Sequence, residues 1–269
     1  MSSTDDDINR LLNDAERFLR QDRELYGDLF LMPPADHDHK PRQNTMPPQN
    51  AVQEDLFGET APARSPERHP RTGVLPDEPW ASAGDLTQLE GMISGCQKCG
   101  LGHTRKSFVF GVGNPHADVV LIGEAPGADE DEQGEPFVGR AGQLLNKILE
   151  AIHFKREDVF ICNILKCRPP NNREPELDEV NLCEPYLWKQ LELIKPKLIL
   201  CLGRVAGQVL LKTNESLAAL RSRTHQYQGI TVMVTYHPAA LLRNPQWKRP
   251  VWEDVQKLRK LYDEMVSAG

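Results

Sequence analysis

Residues 118–127, DVVLIGEAPG, set a short apolar, β-branched run directly before a Gly/Pro turn that carries a carboxylate, Glu124. Such a run is a strand buried on both faces. The Gly and Pro behind it permit a tight turn and a close approach of backbone to a ligand. Outward from this stretch the pattern recurs at 159–165 (VFICNIL), 197–202 (KLILCL) and 231–235 (TVMVT). Helical spacing fills the gaps. Residues 85–95 place Leu86, Leu89 and Ile93 on one face, and 140–152 place Leu144, Leu145, Ile148 and Leu149 inward. Further helices are expected at 177–194, 204–211 and about 250–266. This alternation predicts an α/β fold: a three-layer α/β/α sandwich around a central, mainly parallel four-stranded sheet. In such sheets the ligand site forms just past the carboxyl ends of the strands.

Three of the four strand ends carry chemistry. The first runs into Gly123-Glu124-Ala125-Pro126-Gly127, which lacks the Lys-Ser/Thr of a phosphate loop and the third glycine of a dinucleotide loop. Glu124 reads as catalytic or as a surface carboxylate, and the acidic run 129–132 as a solvated loop. Phe137 precedes a helix, as a core residue, a staple or a ligand contact. The second strand ends in Asn163, whose amide can pair donor and acceptor with a pyrimidine edge, or cap a loop. The fourth ends in Tyr236-His237-Pro238. A His there can stabilise a developing anion, or cap a helix.

Six cysteines are too few for a disulfide scaffold. Cys96 and Cys99 form a Cys-x2-Cys chelating pair, and Cys167 and Cys183 a second pair with fifteen residues between them. Four thiolates hold either zinc or an iron–sulfur cluster. Cys162 and Cys201 sit inside apolar strands and read as core residues.

The chain of 269 residues carries a net charge of −7, all of it in the first 80 residues, where 16 acidic side chains face 9 basic ones. Residues 81–269 hold 23 of each, so the acidity does not exclude nucleic acid as a partner. Ten of the 21 prolines lie between Pro33 and Pro79. Residues 33–80 therefore read as a disordered, acidic, Pro-rich linker. In the extension 1–32, Ile8, Leu11, Leu12, Ala15, Phe18 and Leu19 recur at helical spacing and predict one amphipathic helix. The folded domain is expected over 81–269. Within the linker, residues 53–57 (QEDLF) resemble the bacterial sliding-clamp-binding pentapeptide: Gln53 comes first, and Leu56 and Phe57 are adjacent apolar anchors. No apolar run approaches the roughly 18–20 residues needed to span a bilayer. The start is acidic rather than basic and then apolar. A cytoplasmic protein with no membrane partner is expected, and nothing demands more than a monomer.

The motifs together are more specific than any one of them. Cys96-x2-Cys99, GVGNP (111–115), VLIGEAPG (120–127), QGEPFVGRAGQLL (133–145), CNILKCRPPNNREP (162–175), Cys183 and YHPAALLR (236–243) run in the order of one family. Over about residues 85–265 the chain resembles the family 4 uracil-DNA glycosylases, the iron–sulfur branch of that superfamily. The resemblance implies a monofunctional glycosylase that flips uracil out of DNA and hydrolyses its N-glycosidic bond, starting base-excision repair. It implies a [4Fe-4S] cluster on Cys96, Cys99, Cys167 and Cys183. Glu124 matches the acidic residue of the first motif, and Glu130 a second acidic position near the site. Ala125 falls in the substrate-binding turn. Phe137 would stack on the flipped base, Asn163 would read its Watson–Crick edge, and His237 would hydrogen-bond uracil O2. Leu241, Leu242 and Arg243 would lie on the loop that enters the minor groove, with a leucine as wedge. Cys162 stands where relatives often have Thr.

Cations for the phosphate backbone are expected from Lys166, Arg168, Arg173, Arg204, Arg243, Lys248 and Arg249. Three rival readings remain: a catalytically weak DNA-binding relative, a glycosylase for hypoxanthine or xanthine, and a zinc-ribbon-like structural or RNA-binding protein.

Overall fold

Four apolar runs pair side by side at the centre of the computed structural model, which describes residues 76–267. The helix read at 1–32, the 53–57 peptide and most of the linker read at 33–80 lie outside those residues. The strands are β1 (Val112–Gly113), β2 (Val119–Gly123), β3 (Phe160–Asn163), β4 (Leu198–Leu202), β5 (His225–Tyr227) and β6 (Ile230–Thr235). Their order across the sheet is β1-β3-β2-β4-β6-β5. The middle four are the expected strands and are mutually parallel. β1 and β5 add antiparallel edges, which makes the sheet six-stranded rather than four-stranded. The sequence hides these edges because β1 has two residues and β5 (HQY) is mixed in polarity, as short edge strands are.

The helices are α1 (Leu86–Ile93), α2 (Leu101–Thr104), α3 (Ala128–Gln133), α4 (Arg140–Ala151), α5 (Leu177–Ile194), α6 (Arg204–Leu211), α7 (Leu217–Arg221), α8 (Pro238–Arg243) and α9 (Lys248–Ser267). Asp85 caps α1 by accepting from Gln88 N at 2.8 Å. α9 starts two residues earlier than expected, and Pro250 is tolerated because it falls in the first turn, where no N–H is needed.

Strand alternation splits the core in two. Val120, Ile122, Phe160, Ile199, Val232 and Val234 face α1, α5 and α6. Val119, Leu121, Ile161, Leu198, Leu200 and Met233 face Leu145 and Leu149 of α4 and Val251, Val255 and Leu258 of α9. Each fully buried aliphatic side chain contributes about 1.5–3 kcal/mol. Cys162 and Cys201 are buried in the first of these layers.

Two boundaries differ from expectation. The folded region begins before residue 81: Trp80 is 5% exposed, meets Tyr186 edge-on at 4.8 Å, and donates from Nε1 to Glu78. The acidic run 129–132 is not a solvated loop but most of α3. Buried Asp131 accepts from Lys106 N and Ser107 N, which ties α3 to the chain ahead of β1.

Register then places the site. Gly123 stands beside Asn163, and Leu202 beside Thr235. The strand ends carrying Glu124, Asn163, Arg204 and His237 therefore share one edge of the sheet. The chain leaves β2 for β3 on one side and returns to β4 on the other. In open α/β sheets such a reversal is where ligands bind, outside the carboxyl ends of the strands.

Candidate active site

Close backbone approach builds the crevice. A Cβ on Gly123 would lie 2.2 Å from Asn163 Oδ1 and 2.7 Å from the Phe137 ring. Only glycine lets the amide and the ring converge there. A Cβ on Gly142 would lie 1.8 Å from the Phe137 carbonyl oxygen, so α4 can begin this close to Phe137 only with glycine at that turn. Phe137 itself has a φ of +55°, a left-handed conformation that bulky residues avoid.

Asn163 is 2% exposed, and its Oδ1 is buried without a hydrogen-bond partner. Buried polar atoms in folded proteins are nearly always paired. This acceptor and the Phe137 ring lie on the same side of Gly123. Its backbone carbonyl accepts from Lys166 Nζ at 2.9 Å. Lys166 is wholly buried and also donates to Gln190 Oε1, so it braces Asn163 from within and is not available to DNA phosphates.

His237 caps α8, with Nδ1 accepting from Ala239 N at 3.1 Å. That bond leaves the neutral ring's proton on Nε2. Burial, aided by the Arg243 cation, lowers its pKa to about 4, so the ring is a neutral donor at physiological pH. It lies 5.4 Å from Phe137, centroid to centroid. Glu124 is half-buried. Burial and the Glu174 carboxylate raise its pKa, and Arg204 opposes them. The two carboxylates of this region have different surroundings. Glu130 accepts from Gly127 N, Val138 N and Gly139 N at 3.0–3.1 Å, which joins the turn after β2 to the Phe137 loop.

On α8, Leu241 is buried at 2% exposure in the core layer that α4 and α9 cover, whereas Leu242 is half-buried and Arg243 exposed. Arg173 pairs with Glu179, Arg204 with Glu174 and Arg249 with Glu253. These cations are pre-engaged at the surface rather than bare.

The cysteines gather at a separate corner. Tyr186 Oη donates to Cys96 Sγ at 3.2 Å, Arg105 to Cys167 Sγ at 3.2 Å, and Lys166 N to Cys183 Sγ at 3.3 Å. Arg105 also holds Cys96 O and Ser94 O, locking the 96–99 hairpin. Burial raises the Cys183 thiol to about 12 and the Cys167 thiol as well. The neighbouring cysteines add to both shifts. Among the described residues, no three His, Cys, Asp or Glu side chains are grouped to hold a single metal ion. The sequence offered no signal for Arg105, Tyr186 or Lys166 as supports. Each depends on a tertiary contact from a different element.

A mainly parallel sheet whose strand ends bring an orphaned amide oxygen, an aromatic ring and a neutral imidazole donor to one edge offers the groups with which a protein pairs and stacks a planar base. Residues 110–258 match the uracil DNA glycosylase superfamily, to which the chain belongs. Within it, the chain belongs with the type-4 uracil-DNA glycosylases. It is 44% identical over 177 residues to that of Archaeoglobus fulgidus, covering 63% of this chain and 89% of the relative. It is 46% identical to that of Saccharolobus solfataricus, covering 65% and 86%, and 40% identical to that of Thermotoga maritima, covering 62% and 89%.

Proposed function

We propose that uracil flipped from DNA enters the crevice against Phe137, pairs with Asn163 and departs as an anion stabilised by His237. The excision itself follows from membership: the protein is a uracil-DNA glycosylase, a hydrolase of N-glycosyl bonds. A merely DNA-binding role is not favoured. The observation that carries the pocket reading is the buried, unpartnered Oδ1 of Asn163.

Extruding a base costs a few kcal/mol, which stacking and edge pairing offset. Asn163 Oδ1 accepts the uracil N3–H, and the fixed amide rejects cytosine, whose donor and acceptor order is reversed. The Phe137 ring excludes thymine when packed against C5. As the glycosidic bond breaks, negative charge grows on O2, where the Nε2–H of neutral His237 donates. One such donor is typically worth about 100- to 1000-fold in rate. Glu124, close to the same edge and held with a raised pKa, positions or activates the water that adds to the sugar. Glu130 shapes the pocket through its backbone bonds and so stands apart from Glu124. Ala125 lies in the turn between them. Leu242, not the buried Leu241, is the wedge that fills the vacated stack, and Arg243 meets phosphate.

In this reading Cys96, Cys99, Cys167 and Cys183 hold a [4Fe-4S] cluster. The donor set fits: four thiols drawn from a hairpin, a strand-end loop and α5, three of them receiving hydrogen bonds. Buried thiols are poor thiolates unless a metal compensates. When bound, the cluster supplies a cross-link among those three segments. All the proposed catalytic groups come from one chain, so a monomer suffices, and the cytoplasm is the expected compartment. No helix among the described residues is long and apolar enough to cross a membrane. Residues 53–57 are proposed to dock on a sliding clamp, supported by Gln53, Leu56 and Phe57; replacing Leu56 and Phe57 by Ala should abolish co-elution with purified clamp.

The test of the reading is an oligonucleotide with one uracil, single-stranded or opposite G, incubated with protein and then treated with alkali. Breakage at uracil, and not at thymine, hypoxanthine or xanthine in matched oligonucleotides, is the expected result. Equal breakage at hypoxanthine would assign a broader pocket.

A further inference from the structure

The ring that excludes thymine sits on a backbone it does not hold by itself. Phe137 is in the left-handed region, and the peptide groups around it are gripped from two sides. On one side Glu130 takes the amides of Val138 and Gly139. On the other, Arg156 donates to the carbonyls of Pro136 and Phe137 and, at 3.2 Å, to Asn146 Oδ1 of α4. Arg156 is half-buried in the short helical turn that leads into β3, the strand that ends in Asn163. A planar guanidinium with several donors in fixed directions can serve two carbonyls and an amide at once.

We propose that Arg156 is a positioning residue for base discrimination: by holding the two carbonyls it sets the Phe137 ring at the depth that admits uracil and excludes the 5-methyl group of thymine. The proposal rests on the reading of Phe137 as the ring that contacts the base and packs against its C5 edge. On this proposal Arg156 acts on base choice through that loop, its bond to Asn146 anchoring the guanidinium to α4. Its effect must therefore vanish once the ring is gone. An arginine that served only to steady the domain would show its effect with or without Phe137.

The experiment is a double-mutant cycle on the full chain with Arg156→Ala, Phe137→Ala and the pair, with Arg156→Lys as the milder variant should Arg156→Ala not fold. Thermal melting checks folding, and kcat/KM is measured on oligonucleotides with uracil or thymine opposite G. The expected result is a fall of about 10- to 100-fold on uracil for Arg156→Ala, of the size that misplacement of a binding group brings. The uracil-to-thymine ratio should narrow, Arg156→Lys should lie between, and Arg156→Ala should have no further effect in the Phe137→Ala background. Full additivity of the two losses, or an unchanged uracil-to-thymine ratio in folded Arg156→Ala, overturns the proposal and leaves the stacking role intact. Undiminished uracil excision by Phe137→Ala overturns the stacking role and the proposal with it.

Discussion

The crevice and the cysteine corner treat their polar atoms in opposite ways. In the crevice, Asn163 Oδ1 is buried and unpaired, and the Glu124 carboxyl is half-buried beside a like charge. At the corner, three of the four sulfurs receive hydrogen bonds from Tyr186, Arg105 and the Lys166 backbone. An unpaired buried acceptor is costly and is tolerated where something that comes and goes will pair with it. A sulfur already receiving donors suits a permanent occupant. On the proposed reading, one region is arranged for turnover and the other for retention. Lys166 joins them: its backbone N–H serves Cys183, and its ammonium serves the Asn163 carbonyl.

Removing a ligand from the retaining region should have the largest effect. Cys167→Ser or Cys183→Ser is expected to bleach the visible iron–sulfur absorbance, lower iron content and depress the melting temperature, because metal-binding energy at a structural site is folding energy. A colourless wild type with bound zinc would reverse the assignment. In the turnover region, His237→Ala should lower kcat by about 100- to 1000-fold, at a stability cost no larger than the roughly 0.5–2 kcal/mol that loss of a helix cap brings.

The two leucines of α8 sharpen the contrast at smaller scale. Leu241→Ala should destabilise by about 2–5 kcal/mol, as deletion in a packed core does. Leu242→Ala should melt like wild type and lose excision from duplex more than from single strands. The reverse pattern would make Leu241 the wedge. The smallest effect is in pH dependence. Because Glu124 titrates above its ordinary value and His237 only near 4, acid should first remove activity through Glu124. Glu124→Gln should flatten that limb, and a loss centred near 6.5 would show instead that the imidazole titrates. For stability, the unfolded chain takes up a proton at His237 below about 6.5 but the native one only near 4. Stability should therefore fall as pH drops through that window, and the His237→Ala variant should lose this dependence.

Much of this was legible in the sequence. The four parallel strands are legible as apolar β-branched runs, and Glu124, Asn163 and His237 as polar groups at or just past the carboxyl ends of those strands. The edge strands β1 and β5 were not legible, being too short to show a pattern. Charge alone misplaced Lys166 at a DNA surface, because nothing local shows that its ammonium turns inward to Asn163 O and Gln190. The run 129–132 read as solvated for the same reason: Asp131 is buried by contacts 25 residues away in sequence. Glu130 and Arg156 grip the Phe137 loop mainly through its backbone atoms, which carry no side-chain signature for a sequence to display.

The most direct measurement is single-turnover excision from a G·U duplex by Asn163→Ala beside wild type, with both shown to be folded by thermal melting. The account predicts that losing the one buried acceptor aimed at the base lowers the rate on the order of 100-fold or more. A folded Asn163→Ala protein that removes uracil at the wild-type rate would contradict the assignment of this crevice as the uracil pocket.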